Sequence, residues 1–516
     1  MLTDRAQTLQ RLQSAEDAPP LDVLIIGGGI VGAGVARDAA MRGLRVGLLD
    51  QNDFSSGTSS RSSRLLHGGI RYLAQGRIGL VREASVEKVI VHKIAPHLAA
   101  PLPFIFPTRR GTEWKRWKLS IGVKVYDLLA GRNFGKSRTL SRDEVLAVLP
   151  QLNPEALTGA VRYFDGMTND ARLVLDTLRS AHANGAMLLN YAVAEKPRRD
   201  GDVWRVNVVD RLTGATAELR SRTIVNAAGA WADRFPASQV KLRVTKGVHL
   251  VIDRTRLNIP DAITMTQGSR VLFAIPWGER VILGTTDTDY SGPLDNPSCE
   301  PEDVRYILDV TNHNFPSANI TAADVISTWA GLRPLIGGSS NQQGKPSDIS
   351  RAHQIRMPQP GWIDVAGGKL TTYRLMAEQT IDAVVEFTKT SSKPPSTAET
   401  PLLPDEPQPR FSGILPPPVS REAVEHYCRN EWAVHLYDVM VRRTSWRYYH
   451  RDHFVLADQV ARWMAEFLSW DDDRVRREVA EYRQVVDESS NCAFGDAAHA
   501  GAKTSSSQQS QQVQPA

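Results

Sequence analysis

The sequence is poor in cysteine. Its 516 residues include only Cys299, Cys428 and Cys492, and no CxxC pair. This spacing argues against a disulfide framework or a zinc site and favours a reducing compartment. The sequence also lacks an apolar run of the about 20 residues that a membrane-spanning helix needs. Residues 1–20 are polar and of mixed charge, so we expect no signal peptide there.

A strong excess of either charge is also missing. The 62 Lys and Arg residues against 57 Asp and Glu residues leave a net charge of +5, which is mild for this length. Such a balance suits an anionic small molecule or an acidic membrane surface, and it does not indicate nucleic acid. A hydrophobic fraction of 41% with 23% charged residues indicates an ordinary globular protein, long enough for two or three domains.

One stretch present near the start is a nucleotide-binding pattern, "DVLIIGGGIVGAGVARDAAMRGLRVGLLD" at 22–50. Gly27, Gly29 and Gly32 fit GxGxxG directly after an apolar strand. They would allow a tight turn, close backbone approach to a pyrophosphate, and close packing of the following helix. Asp50 ends a second apolar strand 23 positions after Gly27, where an acid can bind ribose hydroxyls. The stretch predicts a dinucleotide site but leaves NAD or FAD open.

The later strand and helix patterns predict an α/β protein whose nucleotide fold is discontinuous. Between residues 240 and 290, charged and apolar residues alternate as in a sheet with one solvated face, whereas residues 389–420 are rich in Pro, Ser and Thr and indicate a linker. We predict a dinucleotide-binding domain at 20–95, 155–235 and 350–390, a strand-rich substrate domain at 96–154 and 236–349, a helical C-terminal domain at 421–488, and flexible tails at 1–19 and 489–516.

Six segments carry a family resemblance: "TSSRSSRLLHGGIRYL", "VNAAGAWAD", "KGVHLV", "GTTD", "AGLRPL" and "GGKLTTYR". Together they resemble the FAD-dependent glycerol-3-phosphate dehydrogenases, which belong to the glycine-oxidase-like flavoproteins. The likeness runs in order from about residue 20 to residue 388, and the C-terminal part fits more loosely. It implies a Rossmann-like FAD-binding domain with an inserted antiparallel-sheet substrate domain. Two departures are Asp50, where the family commonly has Glu, and Arg64, where it commonly has Lys.

The resemblance also implies an activity. FAD would oxidise sn-glycerol 3-phosphate to dihydroxyacetone phosphate, with a hydride passing to flavin N5 and the electrons then passing to a membrane quinone. It implies a cytoplasmic protein attached peripherally to the membrane, and it allows a homodimer. Two alternatives stay open: a soluble flavin oxidase that passes electrons from glycerol 3-phosphate or another 2-hydroxy or 2-amino acid to oxygen, and a dinucleotide-binding module without enzymatic activity.

A phosphorylated substrate needs cations, and its oxidation needs a proton acceptor. The planar fork of arginine suits phosphate oxygens, which makes Arg333 in "GLRPL" and Arg71 in "HGGIRYL" the candidates, although either could form a structural ion pair. The resemblance adds Lys246. As proton acceptors the residues offer His249 and His67, with Lys369 as a further candidate and Tyr72 placed nearby by the resemblance. They do not single out one base.

Reduced flavin carries negative charge that a helix N-terminus can stabilise. In "VAGGKLTTYR", Gly367 and Gly368 let the backbone approach the ring, and a helix is expected to begin near Leu370, unless the segment is an ordinary turn. From the residues and the resemblance together, the predicted cofactor-binding set is Gly27, Gly29, Gly32, Asp50, Thr58, Ser59, Ser60, Ser63, Arg64, Gly68, Gly69, Ala228, Gly229, Gly368, Lys369, Leu370, Thr371 and Thr372. No metal is predicted.

A basic, aromatic stretch at 108–129 offers a membrane contact. Trp114, Trp117, Ile121, Val125 and Leu128 recur at helical spacing among lysines and arginines. Such a helix can lie in the interface beside anionic lipid. The alternative is a substrate-domain helix whose tryptophans belong to the core.

Overall fold

The structure is a computed structural model that describes residues 5–13, 19–70, 76–129, 135–268, 270–337 and 353–494. Its helices are α1 (Arg5–Leu12), α2 (Ile30–Met41), α3 (Ile78–Ile94), α4 (Arg116–Leu129), α5 (Arg142–Val148), α6 (Asp170–Ala183), α7 (Pro301–Asn314), α8 (Tyr373–Thr388), α9 (Arg421–Asn430), α10 (Trp446–Tyr449), α11 (His453–Leu468) and α12 (Asp472–Phe494). Its strands are β1 (Leu21–Ile26), β2 (Val46–Leu49), β3 (Leu65–Leu66), β4 (Ala99–Arg109), β5 (Arg138–Leu140), β6 (Leu157–Thr168), β7 (Met187–Leu189), β8 (Ala192–Asp200), β9 (Val203–Asp210), β10 (Thr216–Asn226), β11 (Leu242–Asp253), β12 (Ala262–Gln267), β13 (Arg270–Trp277), β14 (Arg280–Gly284), β15 (Thr288–Asp289), β16 (Val325–Ile336), β17 (His353–Gln359) and β18 (Trp362–Gly367).

The first sheet is assembled from distant parts of the chain. Its strands follow the order β17-β18-β10-β1-β2-β7, and the hairpin β8–β9 continues from β10. The five strands from β18 to β7 are parallel, whereas β17 is antiparallel. Apolar residues fill both faces of β1 and β2, as expected for parallel strands covered by helices. Helices α2, α6 and α8 pack together beside this sheet.

The second sheet has ten strands in the order β15-β11-β14-β13-β12-β4-β6-β3, with β16 paired to β11 and β5 to β6. Its pairs are antiparallel except β12 with β4. The domain division stays a prediction, and strand pairing departs from it at β6. Residues 157–168 were assigned to the nucleotide domain, but they pair with β4 in the second sheet. An apolar run carries no sign of which sheet it joins, and both faces of β6 are largely buried.

The C-terminal helices pack against the second sheet. In α10, the Tyr448 ring lies 5.1 Å from the ring of Trp329 in β16, and Ser327 donates a hydrogen bond of 2.8 Å to the carbonyl of Tyr448. Trp446 is fully buried. These contacts hold the helical C-terminal region against β16 of the second sheet.

Buried ion pairs tie the same helices to the first sheet. Arg442 and Arg443, in a π-helical turn before α10, both bind the carboxylate of Asp53, which follows β2. Burial alone would raise the pKa of Asp53, but the charges of Arg443 and Arg442 outweigh it and lower the pKa to about 2. In α6, Arg172 donates to Glu431 at 2.8 Å. All these side chains are buried, so their charges depend on one another.

The predicted linker at 389–420 also has fixed contacts. The guanidinium of Arg37 in α2 donates to the carbonyls of Thr397 at 3.2 Å and Thr400 at 2.6 Å, and Leu402 is buried in the core beside the first sheet. Most of the stretch has no regular secondary structure, as its composition predicts. Among the described residues, no helix combines the length and apolarity needed to cross a bilayer.

Candidate active site at the junction of two cavities

Two cavities adjoin where the first sheet meets the second. The larger, of about 380 Å³, lies over the carboxyl ends of β1 and β2, and the smaller, of about 140 Å³, lies against β11 and β16. Thr58, Lys369 and Leu370 line both. From the predicted cofactor set the larger cavity brings together Gly27, Gly29, Asp50, Thr58, Ser59, Ala228, Gly229, Gly368, Lys369 and Leu370. From the predicted site residues the smaller brings together Thr58, Ser63, His67, His249, Arg333, Lys369, Leu370 and Thr371.

The glycine turn after β1 has the geometry that a dinucleotide requires. Gly27 has a φ of +110°, and a Cβ there would lie 2.5 Å from the carbonyl oxygen of Ala227. A Cβ on Gly32 would overlap the carbonyl oxygen of Gly27, so the third glycine permits close packing of α2 on the turn. Gly29 precedes α2 without a side-chain cap and lines the larger cavity. The turn therefore leaves backbone and helix terminus facing the space where a pyrophosphate would lie.

Asp50 is held in position at the end of β2. Its carboxylate accepts the N–H of Gly28 at 2.7 Å and the N–H of Asn52 at 2.9 Å. Burial raises the pKa of Asp50 to about 7, although these two hydrogen bonds act in the opposite direction. An oriented carboxyl group lining the nucleotide cavity fits the recognition of a ribose diol.

The hydroxyl-rich loop after β2 joins the two cavities. Ser59 accepts the N–H of Ile30 at 3.0 Å, at the start of α2, and Thr58 donates to the carbonyl of Leu332 in β16 at 2.6 Å. Ser63 contacts His249. Ser60 is buried and lines neither cavity. The loop thus spans from the helix terminus to the second sheet.

Arg333 in the smaller cavity is positioned by the "GTTD" motif. Its guanidinium donates to Asp287 at 3.1 Å, to the hydroxyl of Thr285 at 3.0 Å and to the carbonyl of Thr286 at 3.2 Å. The side chain lies over Gly247 of β11, where a Cβ would be 2.6 Å from the guanidinium carbon. The motif and the glycine therefore fix one guanidinium at the cavity wall.

His249 is a buried, neutral imidazole in the same wall. Its ring stacks on Trp329 with centroids 5.1 Å apart, and its Nε2 lies 2.8 Å from the hydroxyl oxygen of Ser63. Nδ1 has no hydrogen-bond partner among the residues the structure covers. Burial, followed by the charges of Arg333 and Arg64, lowers the pKa of His249 to about 3.

The remaining wall combines the "HGG" and "GGKLTT" segments. The backbone N–H of His67 donates to the hydroxyl of Thr371 at 3.0 Å. Gly367 and Gly368 adopt φ values of +72° and +79°, so the predicted glycine turn is present, although α8 begins at Tyr373 after a single 3₁₀ turn. Gly69 has a φ of +80°. Gly68 donates its N–H to the hydroxyl of Tyr126 in α4 at 2.7 Å.

Lys246 and Arg64 make their contacts outside both cavities. Lys246 does not line either cavity, because side chains alternate along β11 and the Lys246 ammonium lies 2.8 Å from Asp303. The guanidinium of Arg64 lies 4.4 Å from the ring centre of Trp277, and it donates to Ser445 at 2.9 Å. Lys246 thus forms an ion pair with Asp303, and Arg64 is a buried link to the C-terminal helices, while their predicted phosphate and cofactor contacts stay predictions. Thr372 also lies outside both cavity walls.

Two other predicted residues, Arg71 and Tyr72, lie outside the described residues. One cation in the smaller cavity was missed by the sequence reasoning, namely Arg61. Its guanidinium makes no hydrogen bond or ion pair with the part of the chain that the structure describes. The available signal was the one arginine within the hydroxyl-rich "TSSRSS" segment, which also carries part of the family resemblance.

Comparison with known proteins fits this geometry. The chain matches the family model described as FAD dependent oxidoreductase over residues 22–374, and the model described as C-terminal domain of alpha-glycerophosphate oxidase over residues 408–475. It is 41% identical over 374 residues to the aerobic glycerol-3-phosphate dehydrogenase of Staphylococcus aureus (strain MRSA252). That alignment covers 70% of the chain and 66% of the relative, slightly less than two thirds of its length.

Solved structures agree. The glycerol-3-phosphate dehydrogenase of Bacillus halodurans, complexed with FAD, is 29% identical and has a TM-score of 0.74, with 95% of this chain and 98% of that one covered. Glycine oxidase from Geobacillus kaustophilus, at 21% identity, shares the fold with a TM-score of 0.57, covering 73% of this chain and 97% of that one. These matches confirm the predicted resemblance, the fold class and FAD as the cofactor. Since the first family model matches residues 22–374, more than half of this chain, the chain belongs to the FAD dependent oxidoreductase family.

Proposed function

We propose that the protein oxidises sn-glycerol 3-phosphate to dihydroxyacetone phosphate. The observation that carries this proposal is the shared wall of Thr58, Lys369 and Leu370, which puts a nucleotide cavity directly beside a small cavity containing a fixed guanidinium and a neutral imidazole. The names of the relatives and of the solved structure support the same substrate. When bound, FAD supplies the hydride acceptor, and the chain supplies orientation, charge and a proton acceptor.

The substrate phosphate is assigned to Arg333 and Arg61. Asp287 offsets part of the charge of Arg333, so a dianionic phosphate needs a second cation, and Arg61 lines the same cavity. A planar guanidinium can bind two phosphate oxygens at once. We retain Arg71 as a proposed third contact.

The substrate hydroxyl proton is assigned to His249. A neutral imidazole can accept a proton, and Nδ1 has no partner within the described ranges. The low pKa arises partly from the charge of Arg333. A phosphate dianion beside that guanidinium would offset its charge and raise the basicity of His249 during binding.

His67 and Lys369 line the same cavity and are the competing bases. The variants His249→Asn, His67→Asn and Lys369→Met, each measured for kcat as a function of pH, decide which of the three residues is the base. His249→Asn is expected to lower kcat at every pH, whereas a larger loss in either of the other variants would contradict the assignment.

The FAD site is expected to hold its ligand through the chain's own backbone and Asp50. The glycine turn leaves room for a pyrophosphate, and the carboxyl group of Asp50 lines the same cavity, where it would bind a ribose. The segment Gly368–Thr371 adds backbone and hydroxyl groups at the junction, where negative charge on a reduced ring would need donors.

We further propose that the electrons pass to a quinone in a membrane that the protein contacts through α4. On this helix Trp117, Ile121 and Leu128 have side chains that are 61%, 57% and 70% exposed. Lys118 and Lys124 are exposed beside them, which suits an anionic lipid surface. The buried face of α4 carries Tyr126, whose hydroxyl accepts the N–H of Gly68 beside His67, so this helix also supports the substrate cavity.

The decisive test of the activity is anaerobic. Glycerol 3-phosphate is added to the purified, FAD-containing protein, and the flavin absorbance is followed. Bleaching by glycerol 3-phosphate but not by glycerol is expected. An unchanged spectrum would contradict the proposed substrate, and stoichiometric peroxide in air with no vesicle binding would favour an oxidase.

The membrane contact is tested separately with vesicles containing anionic phospholipid. Leu128→Glu is expected to reduce vesicle binding at least tenfold, by placing a charge in the apolar contact. Val455→Glu is the matched control, because Val455 is 71% exposed but lies on α11. Equal loss in both variants, or none in Leu128→Glu, would contradict a contact through α4.

A further inference from the structure

A third cavity lies between the first sheet and the C-terminal helices, away from the proposed substrate site. We call it the seam cavity. It has a volume of about 650 Å³, and its lining includes Asn52, Arg211, Trp470, Asp471, Arg474 and Arg477. Asn52, two positions after Asp50, also lines the nucleotide cavity, so the two cavities share this residue. Its size falls in the range of small-molecule sites.

Cations from separate parts of the chain converge on the seam cavity. Arg211 follows β9, whereas Arg474 and Arg477 lie one turn apart on α12. The only acid in the lining is Asp471, whose carboxylate accepts the backbone N–H of Arg474 at 2.7 Å. Among the lining residues, three arginines therefore face one carboxylate, and Arg474 is also paired with Glu478 behind the lining.

Two of these arginines are held in place. One terminal nitrogen of Arg211 donates to the carbonyl of Gln51 at 3.0 Å and to the side chain of Asn52 at 2.9 Å. Arg474 lies 2.5 Å from the buried carboxylate of Glu478, which also contacts His435 at 2.8 Å. Cations fixed before a ligand arrives lose little conformational entropy on binding it.

Arg477 differs from these two. It forms no hydrogen bond or ion pair within the described part of the chain. Arg477 is repelled by Arg211 and, to a smaller extent, by Arg474, whose charge Glu478 partly offsets. A bound anion would remove that repulsion. A metal ion fits less well, because the two buried carboxylates beside the cavity are already bound: Glu478 to Arg474 and His435, and Asp438 to Arg442 and Tyr191.

We propose that the seam cavity binds an anion carrying a chain of two or more phosphate groups. Three guanidinium groups spread over one cavity suit several phosphates better than a single one, because each planar fork can engage a different phosphate. The source can be a nucleoside triphosphate or an inorganic polyphosphate. Trp470, whose ring lies 5.7 Å from the guanidinium carbon of Arg474, offers a surface on which a base could stack. The site is independent of the proposed oxidation.

Isothermal titration of the FAD-saturated protein tests this site, since the bound cofactor blocks the nucleotide cavity. The probes are ATP, tripolyphosphate and adenosine at low ionic strength. ATP and tripolyphosphate are expected to bind and adenosine is not. Tighter binding of ATP identifies a nucleotide as the ligand, and equal binding identifies the inorganic chain. Failure of both polyphosphates to bind at millimolar concentration overturns the proposal.

A pair of neighbouring variants separates a site from general surface charge. Arg477→Gln is expected to weaken polyphosphate binding about tenfold, as for one charge-assisted contact. Arg476→Gln makes the same charge change one residue away, but Arg476 is paired with Asp473 and does not line the cavity. Its affinity is expected to stay within about twofold of wild type. Equal weakening in the two variants overturns the proposal, and the flavin spectrum monitors folding in both.

Discussion

Gly247 offers a sharp test of the role of Arg333, because a single methyl group at this position competes with the guanidinium for space. A Cβ on Gly247 would lie 2.6 Å from both the guanidinium carbon and Nη1 of Arg333, and closer still to Nη2. Gly247 does not adopt a positive φ, so alanine is compatible with the backbone of β11. The guanidinium must move away from the oxygens of Asp287 and Thr285, which now hold it at 3.1 and 3.0 Å.

The expected cost can be estimated from the contact that is lost. A charge-assisted hydrogen bond contributes about 1.5–3 kcal/mol, which corresponds to a rise of roughly 10- to 150-fold in the KM for glycerol 3-phosphate. Stability should fall by only about 1–3 kcal/mol, the usual effect of one extra methyl group in a packed site. The assay is steady-state reduction of an artificial electron acceptor, with flavin absorbance as a measure of bound FAD.

Two controls complete this experiment. Gly79→Ala in α3 adds the same methyl group into open space, so its KM should match wild type. In an Arg333→Ala background, Gly247→Ala should have almost no further effect, because the clash has been removed. If Gly247→Ala retained the wild-type KM, or if its effect persisted without Arg333, the assignment of Arg333 to the phosphate would be refuted.

Three further outcomes are expected. Gly32→Ala should purify folded by circular dichroism but without the yellow flavin spectrum, because the new Cβ would overlap the carbonyl oxygen of Gly27; a normal flavin content would contradict the role of the turn. Asp53→Asn should lower the free energy of unfolding in urea by about 3–5 kcal/mol, since it removes the buried carboxylate that binds Arg443 and one of the two that bind Arg442. The pKa of Asp53 is about 2 when folded, so this difference should be complete above about pH 4 and should shrink as the pH falls toward 2; a constant difference would count against the pairing. The pKa of His249 is about 3 in the folded protein and about 6.5 in the unfolded chain, so the free energy of unfolding should fall as the pH drops below 6.5. His249→Asn should make this fall shallower in urea titrations between pH 6.5 and 4. An unchanged slope would show that the histidine is not buried in its uncharged form.

The nucleotide half of the site could be predicted because its signals are local. Gly27, Gly32 and Asp50 lie within one strand–helix–strand unit, so their spacing alone fixes their relative positions. The positive φ values at Gly367 and Gly368 were predictable for the same reason, since only glycine adopts them without strain.

The predicted pairing of Lys246 with His249 in one site could have been compared with strand geometry from the sequence alone. Lys246 and His249 are separated by three positions, and in a strand an odd separation places side chains on opposite faces. Only one of them could therefore enter the cavity. The assignment of Lys246 rested on the resemblance and overlooked this alternation.

Other features depend on contacts that no local pattern encodes. Arg64 stacks on Trp277, more than two hundred positions away, and Asp53 binds Arg442 and Arg443, which are 389 and 390 positions away. These contacts can be identified only from the fold, because the sequence alone does not distinguish a buried arginine from an exposed one. The helical pattern of α4 was visible, but only the structure establishes that Trp117 faces outward.

The buried ion pairs of Asp53 and Arg172 connect the parts of the chain that lie on either side of residues 389–420. If a protease cut the backbone there, the carboxylate of Asp53 would still hold its two arginines, and Arg172 would still hold Glu431. The two fragments would co-elute as one folded species and separate only after denaturation.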